Sequence, residues 1–260
     1  MSDAFNLAWK LAYVVKGLAG PALLDSLTVE RKPVGDGIVR RANTGMEAHR
    51  TLWSILGLTS ETRREAMQVL SRAGSEGKAA RQRLNDALEA TDAELQALGI
   101  QMNQIYAGSP ATTVAANDKA PSNDNIDLLK QVAISTYPGY HLPHVWLAAS
   151  GHSPRVSTLD LVGHGRFALL TGVGGGCWLE AAKRLSGRDG RPEIAAWSIG
   201  FQCDFMDCYR DWQRVRGVDE EGVVLVRPDH FVAWRYETAS SDALSLLERA
   251  LADVLSMPVA

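Results

Sequence analysis

A glycine-rich turn that ends in a cysteine is the first segment of this sequence that could support chemistry. It runs from Thr171 to Cys177, between a predicted strand and a predicted helix. Dinucleotide-binding turns occupy this position, but they need a third glycine where Cys177 stands and an acidic residue at the end of the following strand. Glu193 begins that strand instead. The spacing therefore favours a plain strand-to-helix turn over a nucleotide site.

Cys177 is also the residue to consider for thiol chemistry, because a thiolate is stabilised near the N-terminus of a helix. Position 180 is glutamate, so a Cys-x-x-Cys pair is absent, and Thr171 lies six residues before the cysteine, unlike the Thr-x-x-Cys spacing of peroxiredoxins. With Cys203 and Cys208 the total is three, odd in number and too few for a disulfide scaffold. We interpret all three as packing residues, with a thiol-redox protein using Cys177 as an alternative.

Three histidines lie close together in the sequence, at His141, His144 and His152. A metal site would need three convergent ligands on rigid elements. Pro143 stands between the first two histidines and favours an extended segment instead. We therefore predict no metal site, and no catalytic serine either, because the Gly-x-Ser-x-Gly elbow of serine hydrolases is absent.

The elements before residue 107 are predicted to be helical from their apolar spacing. A first helix spans Met1 to Gly17, and Gly20-Pro21 breaks it before a short second helix that ends at the charged segment Glu30 to Pro33. Three further predictions follow along the chain: Ile38 to Leu56, Ser60 to Ala73, and Lys78 to Tyr106 as one long or two shorter helices.

A boundary follows, because residues 107 to 125 are rich in Gly, Ser, Pro, Thr and Asn and poor in apolar residues. Such a composition is typical of a loop or linker. We therefore divide the chain into a helical region at 1–107, a linker at 108–127 and a second domain at 128–260.

The second domain alternates short strands and helices, which predicts an α/β (α+β) fold class for the chain. A hairpin is predicted from Val145–Leu147 and Val156–Ser157, joined by the turn-rich Ser150–Pro154. The remaining predicted strands are Arg166–Val173, Glu193–Ile199, Gly222–Val226 and Phe231–Tyr236, and the predicted helices are Trp178–Leu185, Asp204–Val215 and Ala243–Leu255. The order β-α-β-α-β-β-α is that of a thioredoxin-like domain, a similarity that does not fix function.

The overall composition excludes several classes of partner. The net charge is −3 and neither half is basic, which argues against a nucleic-acid partner. No apolar run approaches the roughly 20 residues that span a bilayer, and the start does not resemble a signal peptide. We therefore expect a cytoplasmic protein with no membrane partner.

Two stretches of the sequence carry a family resemblance. The first contains Asp3-Ala-Phe-Asn-Leu-Ala-Trp-Lys-Leu11, then Gly20-Pro-Ala-Leu-Leu-Asp-Ser26 and Glu30-Arg-Lys-Pro33. The second contains Pro138-Gly-Tyr-His-Leu-Pro-His-Val-Trp-Leu147, a segment from Ser157 to Gly172, and Val224-Leu-Val-Arg-Pro-Asp-His-Phe-Val-Ala-Trp-Arg235. In this order they resemble the end of the FAD domain and the C-terminal thioredoxin-like domain of the FAD-dependent aromatic-ring monooxygenases, of the phenol and 2,4-dichlorophenol hydroxylase kind.

The resemblance implies hydroxylation of a phenolic substrate with FAD, NAD(P)H and O2, in which the cofactor carries the chemistry and the protein positions it. It places the start of the first helix beside the flavin ring, where the helix dipole favours the ring's carbonyl oxygens. Asp3 and Asn6 are the residues that it assigns to cofactor binding. It assigns no catalytic residue to this chain.

The family's Gly-x-Gly-x-x-Gly turn, Asp-Gly segment and Gly-Asp segment are absent from this sequence. We therefore expect that the chain neither binds FAD tightly nor hydroxylates alone. A truncated product, one subunit of a split enzyme and an isolated module are three explanations, and the expected partner is a second copy or an N-terminal FAD-domain chain. The alternative function is a non-catalytic thioredoxin-like dimerisation or interaction module.

Overall fold

The computed structural model describes residues 1–106, 108–149, 153–188 and 190–258, and it divides them into two compact units. Unit 1 comprises Met1–Lys32, Gln104–Asn123 and Ile134–Ala260, and unit 2 comprises Pro33–Asn103 and Asp124–Ala133. This grouping differs from the predicted boundaries at 107 and 128, because the first 32 residues pack with the C-terminal strands and helices. None of the described helices is long and apolar enough to cross a membrane.

Unit 2 is helical. The helix α2 (Ser26–Leu56) begins in unit 1 and is followed by α3 (Ser60–Leu70), α4 (Gly74–Leu95) and α5 (Leu98–Met102). A capping box at Thr59 begins α3: the Thr59 hydroxyl accepts from the Thr62 N–H, and the Thr62 hydroxyl accepts in return.

The prediction that the second helix ends at Glu30–Pro33 is wrong, because Pro33 lies inside α2, which continues to Leu56. A proline within a helix removes one backbone hydrogen bond and usually kinks or ends the helix. Here the carbonyl that would lose its donor belongs to Val29, a residue with 48% exposure to solvent. Glu30 and Arg31 are also held by side-chain hydrogen bonds to other segments, which keeps this part of the helix in place.

Unit 1 is built on a four-stranded sheet. Its strands are β3 (Phe167–Thr171), β4 (Ile194–Ser198), β6 (Val223–Val226) and β7 (Val232–Tyr236), in the spatial order β4-β3-β6-β7. The pair β3 and β4 is parallel, and the other two pairs are antiparallel. The helix α6 (Gly176–Leu185) connects the parallel pair, and α8 (Ala243–Val254) follows β7. The predicted element order is therefore present, and the similarity to thioredoxin-like domains stays a prediction.

A smaller sheet contains β1 (Trp146–Ala148), β2 (Val156–Ser157) and β5 (Met206–Asp207), in the order β2-β1-β5 with both pairs antiparallel. The hairpin pairing of β1 with β2 is as predicted, while Ser150, Gly151 and His152 of its turn lie outside the described residues.

The predicted helix Asp204–Val215 is wrong over most of its length. Only α7 (Asp211–Val215) is helical, and β5 occupies part of the remainder. The Asp204 carboxylate accepts from the backbone and the hydroxyl of Ser198, both at 2.8 Å, and Arg210 adopts a left-handed φ of 58°. Aspartates that bond to nearby polar groups in this way compete with helix formation.

The core of unit 1 lies on both faces of the larger sheet, because residues alternate between the two faces of a strand. Phe167 and Leu169 pack on the face that carries α6 and α8, while Ala168 and Leu170 pack on the other. The first helix, α1 (Ser2–Val15), adds Trp9 and Tyr13 to the first of these clusters, followed by Leu23 from a short 3-10 helix. The start of the chain is therefore an integral part of this core.

The predicted linker has no regular secondary structure, but several of its residues are fixed to unit 1. Ala111 is fully buried, Ser109 is 3% exposed, and the Thr113 N–H donates to the carbonyl of Ala233 in β7 at 2.9 Å. Composition alone could not show this, because the anchoring groups are small side chains and backbone amides.

Candidate functional site

The candidate site lies where α1, the start of α2 and the turn between β6 and β7 meet inside unit 1. Four ionisable side chains are buried there: Lys10 and Arg227 at 0% exposure, Glu30 at 1% and Asp229 at 2%. We call these four residues, with Asn6 and Ser109, the buried network. Two cations and two carboxylates together carry no net charge, which is the condition under which charges tolerate burial.

Glu30 is the centre of the buried network. Its Oε2 accepts from Lys10 Nζ at 2.6 Å and from Asn6 Nδ2 at 2.7 Å. Its Oε1 accepts from Ser109 Oγ and from a guanidinium nitrogen of Arg227, both at 2.5 Å. A single carboxylate thus joins α1, α2, the 109–113 segment and the β6–β7 turn.

Arg227 connects the two carboxylates. Its guanidinium contacts both oxygens of Glu30 and donates to both oxygens of Asp229, at 2.9 Å and 2.6 Å. Asp229 also accepts from Asn6 Nδ2 at 3.2 Å. The planar guanidinium suits this double fork, which a lysine could not reproduce. The rings of Trp9, Tyr106 and Phe231 surround the same guanidinium, with centroids 5.2 to 5.7 Å from it.

The electrostatics of the buried network follow from burial and pairing. Burial by itself would raise the pKa of Glu30, but Arg227 and Lys10 outweigh it and lower that pKa to about 2. Burial and the neighbouring Arg227 lower the pKa of Lys10, while Glu30 opposes them. Burial disfavours the charged form of Arg227, but Asp229 and Glu30 raise its pKa overall. The three ion pairs, Lys10–Glu30, Arg227–Glu30 and Arg227–Asp229, have N···O distances of 2.5 to 2.6 Å, which are as short as expected for ionised groups.

Asp3 and Asn6, the two residues assigned to cofactor binding by resemblance, lie in different surroundings. The Asp3 side chain is 76% exposed and pairs with Arg31 at 2.6 Å. Asn6 is 2% exposed and faces inward, with its amide nitrogen bonded to Glu30 and Asp229 and its oxygen without a partner among the described residues. Asp3 is therefore open to a ligand, while Asn6 belongs to the buried network.

Arg31 fixes the start of α1. Its guanidinium donates to Asp3, to Ser2 Oγ at 3.0 Å, to Gln104 at 2.5 Å and to the Tyr106 hydroxyl at 2.8 Å. No side chain among the described residues caps α1, and Met1 to Phe5 are all exposed. The first-turn N–H groups of the helix are therefore open to an acceptor, and the helix dipole favours partial negative charge there. These features fit one carbonyl edge of a flavin ring.

The other residues singled out in the sequence do not join this site. Cys177 lies at the start of α6 and packs, partly buried, against the core. His141 bonds to its neighbouring carbonyl and His144 to Ser157 Oγ at 2.6 Å, while His152 lies outside the described residues. Within the described ranges, no group of three or more His, Cys, Asp or Glu is placed to hold a metal. The thiol-redox alternative stays a prediction.

One cavity of about 760 Å³ lies elsewhere in unit 1, between residues 113–119, the end of β7 and α8. None of the buried network lines it. We therefore place the candidate site at α1, where the ionisable and polar side chains converge, and not at this cavity.

The buried network itself was not predicted from the sequence. Its partners are separated by up to 223 residues, and ionic residues are usually exposed. One signal was available: Arg227 directly follows the wholly apolar Val223–Val226, and Asp229 lies two residues further on. Charged residues at the end of a buried strand are candidates for burial with partners.

Comparisons with known proteins match both ends of the chain to known families. Residues 135–258 match the family described as aromatic-ring hydroxylase, C-terminal, and residues 1–42 match the FAD binding domain family. The chain is 38% identical to 2,4-dichlorophenol 6-monooxygenase of Cupriavidus pinatubonensis and 37% identical to phenol 2-monooxygenase of a Pseudomonas species, in each case over 98% of the chain. It also superimposes on the flavin-dependent monooxygenase PieE, solved with FAD and substrate, with a TM-score of 0.88 and 37% identity over 99% of the chain.

The match covers only part of these relatives. The chain spans 42% of the dichlorophenol enzyme, 41% of the phenol enzyme and 44% of the PieE chain. The buried network contains residues of both family matches, with Asn6, Lys10 and Glu30 in the first and Arg227 and Asp229 in the second.

Proposed function

The chain belongs to the FAD-dependent aromatic-ring hydroxylases, and from that premise we propose that it forms the C-terminal part of a flavin-dependent monooxygenase that hydroxylates phenolic compounds. FAD and NAD(P)H are the proposed cofactor and reductant, the cytoplasm is the proposed location, and the proposed substrate is a small phenol. The proposal includes neither a nucleic-acid partner nor a membrane partner.

One observation carries the proposal. The first turn of α1 is fixed by hydrogen bonds from Arg31 to Asp3 and Ser2, and the following turn is joined by the buried network to the β6–β7 turn. A helix N-terminus fixed in this way can donate hydrogen bonds to a carbonyl oxygen without reorganising.

When bound, FAD supplies the oxygen-activating chemistry. The residues of this chain orient the flavin ring, through the first-turn N–H groups of α1 with Asp3 beside them. Arg31 keeps Asp3 and Ser2 in position. The exposed Asp3 carboxylate, with its side chain 76% open to solvent, is the contact that we assign to the edge of the flavin site.

A chimeric enzyme tests this function. In it, this chain replaces the matching two-fifths of the dichlorophenol monooxygenase, with which it aligns over 259 residues. We expect the chimera to bind FAD and to hydroxylate 2,4-dichlorophenol with NAD(P)H, while the 260-residue chain alone shows no stoichiometric flavin absorbance. A folded chimera that binds no FAD would refute the proposal. Stoichiometric FAD on the 260-residue chain alone would refute our view that the N-terminal part of the enzyme supplies most of the FAD site.

A further inference from the structure

The turn between β6 and β7 is fixed by hydrogen bonds of its own and also contacts α1. This turn contains Arg227, Pro228, Asp229 and His230, and we call it the 227–230 turn. The His230 N–H donates to the Arg227 carbonyl at 3.1 Å, and the Arg227 N–H donates to the Phe231 carbonyl at 2.8 Å. The Arg227 side chain also folds back onto Asp229. Hydrogen bonds within the turn therefore fix its conformation independently of its contacts with α1.

Three contacts then connect the 227–230 turn to α1. Asp229 accepts from Asn6, and Arg227 reaches Lys10 through their shared partner Glu30. His230, with a left-handed φ of 72°, packs edge-on against the ring of Phe5 with centroids 5.7 Å apart. All three contacts fall on residues 5 to 10, within the first half of the helix.

The distance from these contacts to the open end of α1 is short. Asn6 is four residues after Ser2, the first residue of the helix, and a rise of 1.5 Å per residue makes that about 6 Å. A helix is stiff over one turn. A displacement at Asn6 or Lys10 therefore becomes a displacement of the first-turn N–H groups.

We propose that Arg227 is a positioning residue for the flavin: it fixes the α1 end that the flavin contacts, and so gives the C-terminal region of these enzymes a role in cofactor binding. This inference rests on the proposed function. Arg227 acts through Glu30 and Asp229 and touches neither the flavin nor the substrate.

The first arm of the test uses the 260-residue chain itself and needs no cofactor. Arg227→Lys keeps the charge but loses the double fork to Glu30 and Asp229. Arg235→Lys is the matched control, because Arg235 is also buried, at 9% exposure, and forms a bidentate pair with Asp118. Unlike Glu30 and Asp229, the partners of Arg235, Asp118 and Thr136, form no hydrogen bond with α1 among the described contacts. Hydrogen exchange is measured for the amides of residues 6–15 in α1 and compared with those of α8.

We expect Arg227→Lys to speed exchange in α1 about tenfold more than in α8, because local opening is then selective for the helix that has lost its support. Arg235→Lys should change α1 and α8 alike. A uniform increase across both helices in the Arg227 variant would mean that Arg227 stabilises the fold without positioning α1, and would overturn the inference.

The second arm uses the chimeric holoenzyme described above. The dissociation constant of FAD is measured by flavin fluorescence, and the KM for 2,4-dichlorophenol is measured separately. We expect Arg227→Lys to weaken FAD binding about tenfold and to leave KM within about twofold, since the loss falls on the cofactor alone. Unchanged FAD affinity together with faster α1 exchange would overturn the inference.

The two arms separate its failure from that of the proposed function. If the unsubstituted chimera binds no FAD, the proposed function fails and the inference fails with it. If the chimera binds FAD and the Arg227 variant binds it equally well, only the inference fails.

Discussion

Replacing Glu30 with glutamine is expected to lower the free energy of unfolding of unit 1 by about 3 kcal/mol at neutral pH. Glutamine has nearly the shape of glutamate and keeps one acceptor oxygen. It leaves Lys10 and Arg227 buried with Asp229 as their only carboxylate among the contacts described here. Removal of one partner from a buried ion pair typically costs roughly 3–5 kcal/mol.

The pKa of Glu30 gives an independent magnitude. Pairing lowers it from 4.5 to about 2. One pKa unit corresponds to about 1.4 kcal/mol, so the difference represents roughly 3 kcal/mol in favour of the folded state. Because the pKa is lower in the folded state, this stabilisation is complete above pH 4.5 and is lost as the pH falls toward 2.

The assay is urea unfolding followed by tryptophan fluorescence, at pH 7 and at pH 3. Six of the seven tryptophans lie in unit 1, and only Trp53 lies in unit 2, so the signal reports mainly on the unit that contains Glu30. Glu248→Gln is the control, since Glu248 pairs with Arg191 while both side chains are about 30% exposed. Pairs of that kind contribute at most about 1 kcal/mol.

Two results would refute this reasoning. A loss below about 1 kcal/mol for Glu30→Gln at pH 7 would show that the buried network contributes no more than a surface pair. A difference between the wild type and the variant that does not shrink from pH 7 to pH 3 would show that the Glu30 charge is not its source.

Two further predictions concern the surroundings of α1. Gly163→Ala should destabilise unit 1 by more than about 1 kcal/mol, because Gly163 has a φ of +81° and a Cβ there would lie 2.4 Å from His230 Nε2. Gly165→Ala is the control, because Gly165 has a similar φ of +74° but open space around a Cβ. Equal losses of stability in the two variants would show that His230 moves away freely. The outer face of α1 carries Phe5, Leu11 and Val15, which are 53%, 47% and 77% exposed. If a second copy of the chain covers this face, the double variant Leu11→Lys, Val15→Lys should have a lower mass by light scattering than the wild type. An unchanged mass would exclude this face as the contact between copies. Deleting residues 1–30 is a poor test of the same idea, because Trp9, Tyr13 and Leu23 fill the core of unit 1.

The sequence predicts most of unit 1 because its strands and helices have strong local patterns. The apolar runs at Phe167–Thr171 and Val223–Val226 and the amphipathic Ala243–Val254 are all found within a few residues of their predicted bounds. The failures are local competitions that composition cannot resolve. Pro33 lies within a helix that tertiary contacts support, and Asp204 bonds to Ser198 instead of beginning a helix.

The site is less predictable than the fold. The resemblance assigns Asp3 and Asn6 on α1 to cofactor binding, which stays a prediction, and the pattern could not show that Asn6 turns inward. Whether a polar side chain on a helix faces solvent or a buried partner depends on what packs there, and here the partner Asp229 comes from a turn more than 200 residues away. Long-range pairing of polar groups leaves no periodic trace in a single sequence.

The segment at residues 109–113, which the composition suggested was a linker, has a consequence for how the protein behaves in concentrated solution. The strand β7 is at the edge of its sheet, and such an edge can recruit a strand from another molecule. Backbone groups of β7 are already bonded to neighbouring segments: the Ala233 carbonyl accepts from the Thr113 N–H, the Val232 carbonyl accepts from the Gly139 N–H, and the Val232 N–H donates to the Tyr140 carbonyl. The segment therefore acts as a cover that discourages intermolecular strand addition. Proteolytic cleavage within it would free the carbonyl of Ala233 for strand addition while Gly139 and Tyr140 still cover Val232, so we expect such cleavage to increase self-association.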